Sequence, residues 1–134
     1  MADLAEDFEL GEEFNDAVTT VVEYNGDIIP GDILKVTGVN DAQQHMVEKQ
    51  TTNTDGAYIA IYSGADGELH EVILTGTVKV TFGASVTVGK KCAPKANKIY
   101  DTGTTGVGGN CGRIISNGAA DGDTGLIYFT GVGN

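Results

Sequence analysis

The sequence predicts an all-β protein, a small barrel or sandwich made of two imperfectly repeated halves and preceded by an extended N-terminal arm. Three observations predict it. Glycine is heavily over-represented, with 20 glycines against two prolines, so the excess serves tight turns and not a proline-rich linker. β-Branched and aromatic runs are punctuated by turn signals every 8 to 12 residues or so, with no comparable helical stripe. A stretch in the middle of the chain also recurs near its end. At 134 residues and 40% hydrophobic content, the chain can fill one modest core but not two.

Residues 1–17 form the arm. They combine many carboxylates with isolated apolar residues, Leu4, Phe8, Leu10 and Phe14, a mixture too polar to fold alone. Such a segment is expected to order when a partner supplies a groove, which makes these four residues candidate partner contacts. The net charge of −11 is concentrated here: Met1 to Leu34 holds ten acids and no Lys or Arg, and the rest of the chain balances nine acids against eight bases. Phosphate-rich partners would be repelled, and the bases are scattered apart from Lys90 and Lys91, so nucleic-acid binding is not expected. No apolar run is long enough for a transmembrane helix and the acidic N-terminus does not resemble a secretory signal, so no membrane partner is expected.

Residues 18–134 form the β domain. Strands are expected at 17–24, 28–29, 33–37, 45–49, 57–62, 70–74, 78–82, 85–88, 98–100, 113–116 and 125–130. The first are divided by the turn signals Asn25-Gly26-Asp27 and Pro30-Gly31-Asp32, where glycine supplies positive φ and proline presets the first turn position. Alternation places Tyr58, Ala60 and Tyr62 on one face of their strand and Ile59 and Ile61 on the other. One face is expected in the core and the other open to a partner, which adds Tyr58 and Tyr62 to the candidate contacts.

The duplication aligns Ala57 through Gly76 with Gly112 through Gly131. Each copy runs from a strand into a glycine-acid turn, and a second strand ends in Thr-Gly. Upstream, Pro30-Gly31-Asp32-Ile33-Leu34-Lys35-Val36 and Val88-Gly89-Lys90-Lys91-Cys92-Ala93-Pro94 open each half with a turn and a strand. The repeats are expected at about 28–82 and 83–131.

No catalytic, cofactor or metal set emerges. Gly83 to Lys91 brushes against a phosphate-binding loop, but five residues separate its glycines where four are needed, and Lys91 occupies the Ser/Thr position. Asn117, Asp121 and Asp123 imitate a calcium loop without its spacing or its distal Glu, and read better as turn residues capping backbone amides. His45 and His70 have no partner His or Cys near them in sequence. Cys92 and Cys111 read as buried thiols, with one bridge between them left open.

The order of these elements resembles that of the small decoration or cement proteins that bind the outside of tailed-virus capsids. The opening at Gly31-Asp32-Ile33-Leu34-Lys35-Val36, the Ala65-Asp66-Gly67-Glu68 turn, Thr75-Gly76-Thr77-Val78-Lys79-Val80 and the closing Gly112-Arg113-Ile114-Ile115 with its Ala119-Ala120-Asp121-Gly122-Asp123 turn carry the resemblance, over about residues 28–131. It implies a β-tulip-like, non-enzymatic structural protein of the virion. Such a protein is made in the host cytoplasm and binds the major capsid protein on the capsid exterior, as a homotrimer that stabilises the shell by bridging its subunits. A non-catalytic β module binding glycan or another surface ligand is the alternative, and the absence of tryptophan counts against it.

Overall fold

The computed structural model describes residues 9–12, 14–51 and 55–131. They form nine strands and no helix: β1 (Val18–Tyr24), β2 (Ile33–Val39), β3 (His45–Lys49), β4 (Tyr58–Ala60), β5 (Leu69–Thr81), β6 (Lys91–Lys95), β7 (Lys98–Asp101), β8 (Gly112–Ile114) and β9 (Thr124–Phe129). The all-β expectation holds.

The strands run in the order β1-β3-β2-β4-β5, and β5 pairs back onto β1, closing a five-stranded barrel. The second half of β5 continues into β9-β8-β6-β7, and a parallel bridge from Phe82 to Ile99 returns that set to β5. Two small barrels therefore share one long strand. The Thr75-Gly76-Thr77 segment lies within one continuous strand, β5. Gly76, at φ +134°, carries β5 from one barrel to the other where a Cβ would sit 2.6 Å from the Cα of Ala17, so only glycine lets the strand pass so close to the chain entering β1.

The backbone bonds show that the duplication is structural. Tyr24 and Phe82 each exchange two bonds with a glycine-acid turn, Gly67-Glu68 and Gly122-Asp123 respectively. Ile28 and Gly64 bridge as Val86 and Gly118 do. The Gly31 amide bonds the Ala60 carbonyl as the Gly89 amide bonds that of Ile114. The repeating unit thus begins with β1 and, in its second copy, with the second half of β5, so it starts before the expected residue 28 and changes over near Gly76 and not at residue 83. One extra residue in the second turn (Gly118-Ala119-Ala120-Asp121-Gly122 against Gly64-Ala65-Asp66-Gly67) displaces β8 by one place from its sequence alignment with β4.

Val22, Tyr24, Ile28, Leu34, Val47, Tyr58, Ala60 and Val72 fill the first barrel. Their counterparts in the second include Val80, Phe82, Val86, Cys92, Ile99, Ile114 and Ile127. Ile33, Ile59 and Ile73 belong to strands of the first barrel, yet they pack with the second barrel's core. They form one cross-strand row, Ile33 beside Ile59 and Ile59 beside Ile73. Burying three isoleucines contributes roughly 5 to 9 kcal/mol before ordering costs, and this apolar row welds the barrels together.

A polar clamp adds to the weld. β6 and β7 are joined by the two-residue turn Ala96-Asn97, both at positive φ. The Asn97 Oδ1 accepts the Ile33 amide at 2.7 Å, its Nδ2 donates to Asp32 Oδ1 at 2.9 Å, and its amide donates to Gln50 Oε1 at 2.8 Å. Asp32 and Gln50 are buried, so their polar atoms need these partners.

Candidate functional site

Leu4 and Phe8 lie outside the described residues. The described residues of the arm are docked on their own body. The Gly11 amide donates to the Lys79 carbonyl at 3.0 Å, and the Leu10 Cβ lies 2.9 Å from where a Cβ on Gly31 would stand. Asp16 accepts the Thr77 amide at 3.0 Å and its hydroxyl at 2.7 Å. The hydroxyl bond, with help from the backbone, holds the Asp16 carboxyl below its ordinary 3.8. Phe14 is half-buried beside this path, and its carbonyl accepts the Ala17 amide.

Of the two tyrosines, Tyr58 is not presented to a partner. β4 is buried on both faces: Tyr58 and Ala60 point into the first barrel and Ile59 into the contact between barrels. The Tyr58 hydroxyl meets His45 Nδ1 at 2.5 Å, and burial raises its pKa. Tyr62 is 48% exposed and shares a shallow recess with Glu9, Leu10, Glu12, Pro30 and Ile61. The fold brings Leu10 and Tyr62 together and leaves Tyr58 apart.

The turn motifs serve the backbone. Asp123 caps the amides of Ala119 and Ala120, Asn117 accepts the Val88 amide, and Asp121 pairs with Lys98 at 2.7 Å. Gly83 faces the Tyr100 ring and Gly89 is a turn at φ +87°. His70 bonds Glu68 at 3.0 Å and packs on Tyr24 with ring centroids 4.7 Å apart. Among the described residues no group of three His, Cys, Asp or Glu side chains could hold a metal ion. Cys92 and Cys111 are buried thiols with sulfurs 3.8 Å apart, and the Cys111 pKa is pushed up by its bond to Cys92 and by burial.

The surface that sequence reasoning missed is a cross-strand row on the outside of the second barrel. Lys91 stands beside Arg113, and Arg113 beside Tyr128. All three are exposed. They occupy the places that Ile33, Ile59 and Ile73 hold in the first barrel. Lys90, Val88 and Ile115 flank the row, also exposed, and Arg113 donates to the Gly89 carbonyl at 3.1 Å.

The fold and its surfaces define a double-barrel scaffold with a basic, partly apolar row on the outside of the second barrel. No protein-family model and no curated protein matches the chain. Among solved structures, the chain is similar to the N base of the head fiber gp8.5 of bacteriophage phi29, with a TM-score of 0.61 at 16% identity, covering 84% of this chain and 92% of that one. At that identity the likeness is one of fold.

Proposed function

We propose that this protein is a structural component of a virus head, a decoration or cement protein that sits on the outside of the assembled capsid and stabilises it by bridging capsid subunits without catalysing a reaction. The observation that carries the reading is the fold it shares, over most of both chains, with the base of a phage head fiber. The double barrel, with exposed apolar residues such as Ile29, Val88 and Ile115 and an acidic N-terminal segment, suits adhesion to protein surfaces. Repeated weak contacts suffice on a shell, because attachment at many sites multiplies them, and binding only the assembled state stabilises that state by mass action.

The test is co-sedimentation of the purified chain with heads of its virus of origin, followed by heating of decorated and bare heads. Saturable binding to assembled heads and a higher disruption temperature are expected. Absence of the chain from the head pellet would refute the reading. Removing residues 1–8 is expected to weaken attachment and leave the β body folded.

A further inference from the structure

The duplication supplies an internal comparison for each surface. In the first repeat the Pro30-Gly31 turn is covered by the chain's own Leu10 and Gly11, Ile61 lines the recess beside them, and Gly11 approaches the Ala60 carbonyl too closely for any side chain. The corresponding turn of the second repeat is Val88-Gly89, with Ile115 in place of Ile61. Gly89 has the backbone of Gly31, φ +87° against +88°, yet a Cβ on it would meet nothing within 4 Å. Val88 and Ile115 are 49% and 39% exposed. The difference follows from topology: a segment outside any strand precedes the first repeat, whereas β5 itself precedes the second and is committed to pairing with β1. No described residue takes the place of Leu10 over the second turn.

The rim differs too. Lys90, Lys91 and Arg113 stand where the first repeat has Asp32, Ile33 and Ile59. The natural complement is an apolar segment bearing carboxylates. Residues 1–8 have that composition, with Leu4 and Phe8 among Asp3, Glu6 and Asp7 and no Lys or Arg. In sequence they precede Glu9-Leu10-Gly11-Glu12, the segment that already covers the equivalent turn.

We propose that the exposed Val88-Gly89-Ile115 patch, with its Lys90, Lys91 and Arg113 rim, binds residues 1–8 of a second copy of this chain. Leu4 and Phe8 cover the patch and the carboxylates face the cations. Eight extended residues reach roughly 28 Å, enough to bridge to a neighbour. Each copy offers one arm and one patch, so the contact is heterologous and copies join head to tail, closing into a ring where the rotation allows. This inference does not depend on the proposed role on a virus head.

The experiment is sedimentation equilibrium on the full chain, a variant lacking residues 1–8, and the double variant Lys91→Glu/Arg113→Glu. The full chain is expected to associate with rising concentration, less so at high salt. Both variants remain monomeric over that range, with dissociation constants raised by about tenfold or more. Mixed together, they form a one-to-one heterodimer, since one retains only the patch and the other only the arm. Val88→Glu blocks the same contact through the patch itself, and circular dichroism checks that each variant is folded. A full chain that stays monomeric at every concentration, as one whose arm covers its own patch would, overturns the proposal. So does association that survives loss of residues 1–8, or a mixture that yields no heterodimer.

Discussion

Replacing Asn97 tests whether the two barrels are held by the clamp at the tip of the β6–β7 hairpin. Asn97→Gly leaves the backbone at ease and retains the amide bond to Gln50, but removes the side-chain bonds to the Ile33 amide and to Asp32. The first is worth about 1 kcal/mol. The second serves a carboxylate only 6% exposed, whose lost donor costs about 2 kcal/mol. Asn97→Gly is therefore expected to destabilise by about 3 kcal/mol. Asn97→Ala loses the same bonds and also places a Cβ in the left-handed region, at φ 64°, which adds about 1 kcal/mol. For a chain of this length each kcal/mol shifts the midpoint by roughly 3 to 5 °C, so Tm falls by roughly 10 °C for the glycine variant and a few degrees further for the alanine. Thermal unfolding followed by circular dichroism reads both. A glycine variant within about 2 °C of wild type would show that the clamp contributes little and that the apolar row alone joins the barrels.

The paired turns provide a second comparison: Gly31→Ala and Gly89→Ala each incur about 1 kcal/mol of left-handed strain, but only the first collides with Leu10. Denaturant titration should therefore show a larger loss for Gly31→Ala, and equal losses would mean that the arm segment is not docked there. Because the folded pKa of Asp16 is depressed, its contribution is complete above the ordinary 3.8 and is lost as pH falls through the lower folded value. The Thr77 amide resonance should shift over that acid range in wild type and not in Asp16→Asn. Finally, the shared strand β5 is expected to make unfolding cooperative: exposure of Cys92 and Cys111 to a thiol reagent, a probe of the second barrel, should share its denaturant midpoint with near-ultraviolet tyrosine dichroism, which Tyr24, Tyr58 and Tyr62 of the first barrel contribute to. Separated midpoints would mean the barrels unfold independently.

What the sequence made legible follows from how local each signal is. The turns at Pro30-Gly31 and Val88-Gly89 were readable because glycine at positive φ is a short-range requirement, and β3 was readable from its own composition to the residue. The strand pairs at 70–74 and 78–82 were expected as two because Gly76 looks like a break, whereas in the fold it is the one residue that can pass Ala17 within a continuous strand. Two more expected strands, 28–29 and 85–88, are single bridges at Ile28 and Val86, since the adjoining turns leave no room for a ladder. Burial of Tyr58 was hidden for a different reason. Alternation says that two faces exist, but not that a second barrel covers the outer one.

The basic row was hidden by the same period-two logic. Aligned without a gap, the repeats set Ile59 against Ile114. The extra residue in the second glycine-acid turn sets Ile59 against Arg113 instead, and a shift of one residue in a strand moves every side chain to the other face. With the register corrected, the two copies differ where their environments differ. The outer row of the first barrel must be apolar, because the second barrel lies on it. Three isoleucines at the corresponding row of the second barrel would leave an exposed apolar strip that fits the next barrel of another molecule, and an open head-to-tail chain of barrels would follow. Lys91, Arg113 and Tyr128 close that route, since two cations must be dehydrated before an apolar face can pack on them. They leave the row accessible to an acidic segment, which confines association to a partner of the right charge.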